Sequence, residues 1–114
     1  MWYITKLIFN INIGEGVHAS QFDEQLRLIN AGSPEEAFFK ARALGRQEEE
    51  SFTNENKRNV SWKFIDVAEL SPLGNLKDGA EIYSNTYEAE EANAYIKFVR
   101  HKAMVIQSEN LVFV

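Results

Sequence analysis

Cysteine is absent from the 114 residues. A disulfide framework, a thiol nucleophile and any cysteine zinc site are excluded with it. Positive charge is in deficit, with 12 Lys and Arg against 17 Asp and Glu and a net charge of −5. Duplex nucleic acid is therefore a poor partner, because its binding relies on neutralising phosphates. No window approaches the roughly 20 apolar residues of a membrane-spanning helix. The opening Met1-Trp2-Tyr3-Ile4-Thr5-Lys6 lacks a basic leader followed by an apolar core and cleavage site. These absences together predict a cytoplasmic protein with no nucleic-acid or membrane partner.

Catalytic signatures are also missing. Gly14-Glu15-Gly16 resembles the start of a phosphate loop, but no GxGxxG or Walker pattern follows and a strand comes next. His18 and His101 belong to no HxxxH or HExxH pattern. They read as a loop residue and a helix-surface residue, and no metal site or cofactor is expected. The serines have no GxSxG elbow. Asp66, Glu69, Asp78 and Glu81 cluster along the later part of the chain. Paired carboxylates perform acid–base work when their surroundings drive their pKa values apart, yet strand ends and turns carry such residues routinely.

What is present is a fold. The length suits one domain, 1–114, read as a core over 1–87, a late helix over 88–107 and an apolar tail over 108–114. The best-marked element is the central helix. Ser33 is an N-cap, Glu36 completes a capping box, and Pro34 takes the first helical position. Ala37, Ala41, Leu44, Glu48 and Phe52 fall on one face, with Phe38 and Gly45 at its edge and Phe39 roughly opposite. The small residues admit close approach to a sheet. Glu48 breaks the pattern, and Glu48-Glu49-Glu50 meets an unfavourable macrodipole at the helix C-terminus. Either the helix reaches this acid, or it frays near Gln47 and the triplet is solvated.

Four strands surround that helix in the reading. Trp2 to Ile13 alternates with apolar residues on both faces. Phe22 to Ala31 pairs antiparallel with it. Val60 to Leu70 follows the polar loop Thr53 to Asn59, with Val60, Trp62, Phe64 and Ala68 on one face and Ile65 and Val67 on the other. Ala80 to Tyr87 is the fourth strand, after the turn at Asp78-Gly79. From Glu88 the apolar period becomes helical. Ala92, Tyr95, Ile96, Val99, Ala103 and Ile106 form a stripe, and Ala94, Phe98 and Val105 a second ridge interrupted by His101. Leu111-Val112-Phe113-Val114 is available for a short C-terminal strand.

Lys6 sits between Ile4 and Ile8 on one strand face. If that face is covered, its ammonium needs a partner or an exit to water, and Glu48 or Glu81 is the candidate. A pocket joining this pair to Trp62 and Tyr83 would make a site.

The pattern resembles a known family. Trp2-Tyr3 with Lys6-Leu7 and Phe9, Ser33-Pro34-Glu35-Glu36-Ala37 with Ala41 and Leu44-Gly45, Trp62-Lys63-Phe64 with Val67, and Asp78-Gly79-Ala80-Glu81-Ile82-Tyr83-Ser84 are similar to a family of small bacterial proteins catalogued only as a domain of unknown function. The resemblance covers about residues 1–84. It implies no activity, cofactor or catalytic residue. It adds weight to Trp2, Lys6, Glu48, Trp62, Glu81 and Tyr83 as positions that coincide with the family's pattern.

The sequence thus predicts an α+β domain in the order β-β-α-β-β-α around a mainly antiparallel sheet. Its second face is covered by the late helix, by another copy of the chain, or by both. Two function classes follow. One is a non-catalytic binding or assembly module, a homodimer associating through Tyr95, Phe98, Val99 and Val105, with room for a protein partner and with Lys6, Glu48, Trp62, Glu81 and Tyr83 as binding candidates. The other is a small hydrolase- or lyase-like enzyme using carboxylates near Glu48 and Glu81 with Lys6.

Overall fold

The computed structural model describes residues 1–14 and 20–110. His18, Glu15 and Gly16, and the expected terminal strand at Leu111–Val114, lie outside the described residues. The chain forms two compact units, Met1–Tyr83 and Ser84–Val114, each described by itself.

The first unit is a four-stranded antiparallel sheet with one helix. β1 (Trp2–Ile13), β2 (Gln21–Asn30), α1 (Pro34–Gln47), β3 (Glu50–Thr53) and β4 (Asn59–Pro72) follow in order, and α2 (Ala92–Asn110) of the second unit completes β-β-α-β-β-α. The sheet order is β2-β1-β4-β3. β1 is central because its alternation supplies apolar side chains to both faces, and pairing on both edges satisfies its backbone.

Tyr3, Leu7 and Phe9 of β1 form the core under α1 with Ile29, Ala31, Ala37 and Ala41, and Trp62, Phe64, Val67 and Leu70 of β4 pack against it. α1 begins as its signals require. The Ser33 hydroxyl accepts the Glu36 N–H at 3.1 Å, and the Glu36 carboxylate accepts the Gly32 N–H at 2.8 Å. Ala37, Ala41 and Gly45 are its buried residues, so the smallest side chains mark the line of contact with the sheet. Phe39 points to solvent.

The strand assignments of the sequence need three corrections. Ala80–Tyr87 is not a strand. Leu73 continues from β4 with a single bond from its N–H to the Trp2 carbonyl at 2.8 Å. The following segment turns at Gly79, φ +81°, and lies over the second sheet face, where Leu73, Leu76 and Ile82 border a groove with Ile4, Leu26 and Leu28. The segment makes no ladder there, and Leu76 and Ile82 stay largely exposed along the groove, so its apolar alternation was no sign of strand pairing. The fourth strand is instead the short β3, whose acidic start read as a helix tail. Lastly, register shifts in the β1–β4 ladder set Ala68 and Ile65 apart as extra residues. Such bulges reverse which residues share a face. Val67 therefore joins Phe64 on the core side, where simple alternation had placed it opposite.

The β3–β4 turn is built by Asn54, whose side-chain oxygen accepts the N–H groups of Asn56 and Arg58 at 3.0 Å each, with Lys57 at φ 60°. This is the Asx pattern that makes asparagine a turn residue. In the second unit, α2 starts at Ala92 rather than Glu88 and runs to Asn110. Glu88, Glu90 and Glu91 therefore precede its first turn. Its start is steadied by Tyr87 against Tyr95, ring centroids 5.6 Å apart and nearly perpendicular. No helix among the described residues is long and apolar enough to cross a membrane.

Candidate functional site

The sequence brings five binding candidates, and the sheet sorts them onto opposite faces. Glu48 and Trp62 lie on the α1 side. Lys6 and Tyr83 lie on the other. Glu81 is exposed and joins neither group.

On the α1 side the helix ends at Gln47, with Glu48 as its C-cap. The helix thus stops where the second alternative placed its end, yet Glu48 is engaged. Its carboxylate accepts a 2.7 Å charge-assisted bond from Arg27 of β2. That bond holds the Glu48 carboxyl below the usual carboxylate range. Arg27 also donates to the Gln25 side-chain oxygen at 2.8 Å, and Gln25 donates to Asp23 at 2.7 Å. A bonded row, Asp23–Gln25–Arg27–Glu48, results along the sheet edge. Between this row, the end of α1 and β3 opens a cleft of about 470 Å³ lined by Phe9, Gln25, Gln47, Glu48, Glu50 and Trp62. Phe9, 1% exposed, forms its floor beside Trp62, with ring centroids 6.2 Å apart.

On the opposite face Glu69 stands across from Lys6 in the β1–β4 register. The Lys6 ammonium donates to the Tyr83 hydroxyl at 3.1 Å, that hydroxyl donates to Glu69 at 3.0 Å, and the ion pair closes the triangle at 3.3 Å. The ammonium also lies 5.2 Å from the Tyr83 ring centroid. The Lys6 side chain is 16% exposed, so the expected partial burial is present. The expected partners, Glu48 and Glu81, are replaced by Glu69 and Tyr83. The bond with Tyr83 first, then Glu69, holds the Lys6 ammonium above its ordinary pKa against the opposing effect of burial. A protonated lysine is a cationic anchor, and here it ties the segment after β4 to the sheet.

The constellation Lys6–Glu48–Glu81 is therefore not formed. Strand alternation sends Lys6 away from the face that α1 covers, and α1 carries Glu48. Among the described residues no group of three or more histidine or acidic side chains is arranged to hold a metal ion. Sequence reading missed Gln25, Gln47 and Glu50 as cleft residues, because each is an ordinary polar residue until the end of α1 meets β3. Glu69 was visible only as one carboxylate among several.

Fold and site together define a small sheet-and-helix domain with a polar-rimmed, aromatic-floored cleft. Within that class, residues 2–84 match the family described as Domain of unknown function (DUF4288), and the chain belongs to it. The match spans the first unit, including the cleft and the Lys6–Glu69–Tyr83 cluster. Comparison with curated proteins gives no match, and comparison with solved structures gives none.

Proposed function

We propose that the protein is a non-catalytic binding and assembly module that self-associates as a homodimer through α2. The observation that carries this reading is the apolar circumference of that helix. Ala92, Tyr95, Ile96, Val99, Ala103 and Ile106 make one stripe, while Ala94, Phe98 and Val105 make a ridge more than a quarter-turn away. One packing surface cannot cover both. Tyr95, Phe98, Val99 and Val105 are 42%, 54%, 45% and 38% exposed. Exposed apolar patches of this kind mark contact sites, and a two-fold dimer is the commonest way to bury one.

Sedimentation equilibrium across a concentration series tests the reading. The wild-type chain is expected at dimer mass at high micromolar concentration. Phe98→Glu is expected to shift it toward monomer, since a carboxylate there would be buried without a partner. The ammonium of Lys102 lies 4.5 Å from the Phe98 ring centroid, within its own helix, so it is no substitute for a partner chain. Monomer mass throughout would refute self-association. A dimer indifferent to Phe98→Glu would refute this interface.

A further inference from the structure

The cleft at the end of α1 is lined by residues of the first unit, and its chemistry does not rest on association through α2. Its floor is aromatic, made by buried Phe9 and half-buried Trp62. Its rim is rich in acceptors, the carboxylates of Glu48 and Glu50 and the amides of Gln25 and Gln47. The last carbonyls of α1 add partial negative charge at the same end. The one cation in the bonded wall, Arg27, is already shared between Glu48 and Gln25. Among the described residues Glu50 has no ion-pair partner. Glu50 stands directly across from Trp62 in the β3–β4 register, so a carboxylate and an indole share one face of the sheet.

Three ligand classes can be weighed against that lining. An anion meets two carboxylates and the negative end of a helix. A neutral apolar ligand leaves the carboxylates desolvated without compensation, which is costly. An organic cation on an alkyl stem satisfies both features. The stem lies on the aromatic floor, and the charge sits between the ring face and the acids. The volume of about 470 Å³ falls within the roughly 300–1,000 Å³ of small-molecule sites. The geometry points to this cleft as a binding site for an alkyl ammonium or guanidinium group, held by Trp62 and Glu50 with Glu48 and Gln47 at the rim. The group is the same chemistry whether it belongs to a free diamine or to a lysine or arginine side chain of another polypeptide.

The test is a titration of the full-length, nitrogen-15-labelled chain with agmatine, which carries both cationic groups, read at the indole N–H resonances. Trp2 lies on the opposite face of the sheet by strand alternation and serves as the internal control, assigned with Trp2→Phe. The expected result is a saturable shift at Trp62 with Trp2 unmoved, and no shift with glutarate, a dianion of similar length. Glu50→Gln is expected to weaken binding about tenfold, the usual loss of one charge-assisted contact. Glu48→Gln provides a second variant. Putrescine and N-acetyl-arginine methylamide distinguish the two sources, and tighter saturation by either supports the site and names its ligand. Absence of a saturable shift with all three cations would overturn the proposal. So would a shift unchanged in both variants or matched by glutarate. Phe98→Glu should bind agmatine as the wild type does, so loss of dimer and loss of the cleft are read separately.

Discussion

Gly45 of α1 lies so close to the ring of Phe64 in β4 that a Cβ at position 45 would overlap it. The contact sets the depth at which the last turn of α1 sits on the sheet, and with it the height of Gln47 and Glu48 above Phe9. The ring cannot easily retreat, because Phe9 backs it at 5.6 Å between centroids. Gly45→Ala gains about 1 kcal/mol in helix propensity, while overpacking a well-filled core costs typically 1–3 kcal/mol. Net destabilisation of up to about 2 kcal/mol is expected from chemical denaturation. A more stable variant would mean that the ring moves aside at little cost.

The cap of α1 gives a second prediction. Ser33→Ala removes the acceptor for the Glu36 N–H. A loss of about 1 kcal/mol is expected, the usual value for a capping side chain. Denaturation midpoint and slope measure it, and an unchanged pair would show that the hydroxyl contributes nothing.

Lys6 and Glu69 should couple, where Lys6 with Glu48 or Glu81 should not. Double-mutant cycles of Lys6→Met with Glu69→Gln, Glu48→Gln and Glu81→Gln measure this directly. The Lys6 pKa is raised on folding. Its contribution is thus complete below the unfolded lysine value of about 10.4 and disappears as pH rises through the folded value. The Glu69 coupling measured at neutral pH should therefore fade in strongly alkaline buffer. Equal coupling in all three cycles would remove the triangle as a specific contact.

Asp66 and Arg42 predict an acid limb. Two guanidinium N–H groups of Arg42 donate to the two Asp66 oxygens at 2.9 Å each, and the Val67 N–H adds a bond at 2.8 Å. Together, with Arg42 the larger cause, they lower the Asp66 pKa from 3.8 to about 2. A depressed carboxylate stabilises the fold above its unfolded pKa and loses that contribution as pH falls through the folded one. Relative to Asp66→Asn, the wild type should lose stability between pH 4 and pH 2 and little between pH 7 and pH 5. Urea midpoints across that range check the sign. A constant difference would show that the pair does not form.

Much of the fold was legible locally. Ser33, Pro34 and Glu36 announce α1 through groups a few residues apart, and the β1–β2 hairpin follows from alternation over consecutive residues. The candidate site was legible only in pieces. Glu48 stood out as an acid on an apolar face, and Trp62 as a large ring in a strand, but nothing near either residue shows that they share a cleft. Lys6 was rightly suspected of needing a partner. The partner could not be chosen, because Glu69 comes opposite it only after the bulge at Ala68 shifts the register.

The sequence by itself determined the family, the capped central helix, the antiparallel character of the sheet and the partial burial of Lys6. Each rests on short-range geometry or on a pattern carried by neighbouring residues. Only the tertiary structure decided that Glu50–Thr53 pairs with β4, that Leu73–Tyr83 crosses a sheet face instead of joining its edge, and that Lys6 and Glu48 work on opposite sides. Those choices depend on which distant segments satisfy one another's backbone and cover one another's apolar faces. An apolar period marks a face suited to packing, and the fold alone says whether and by what it is covered.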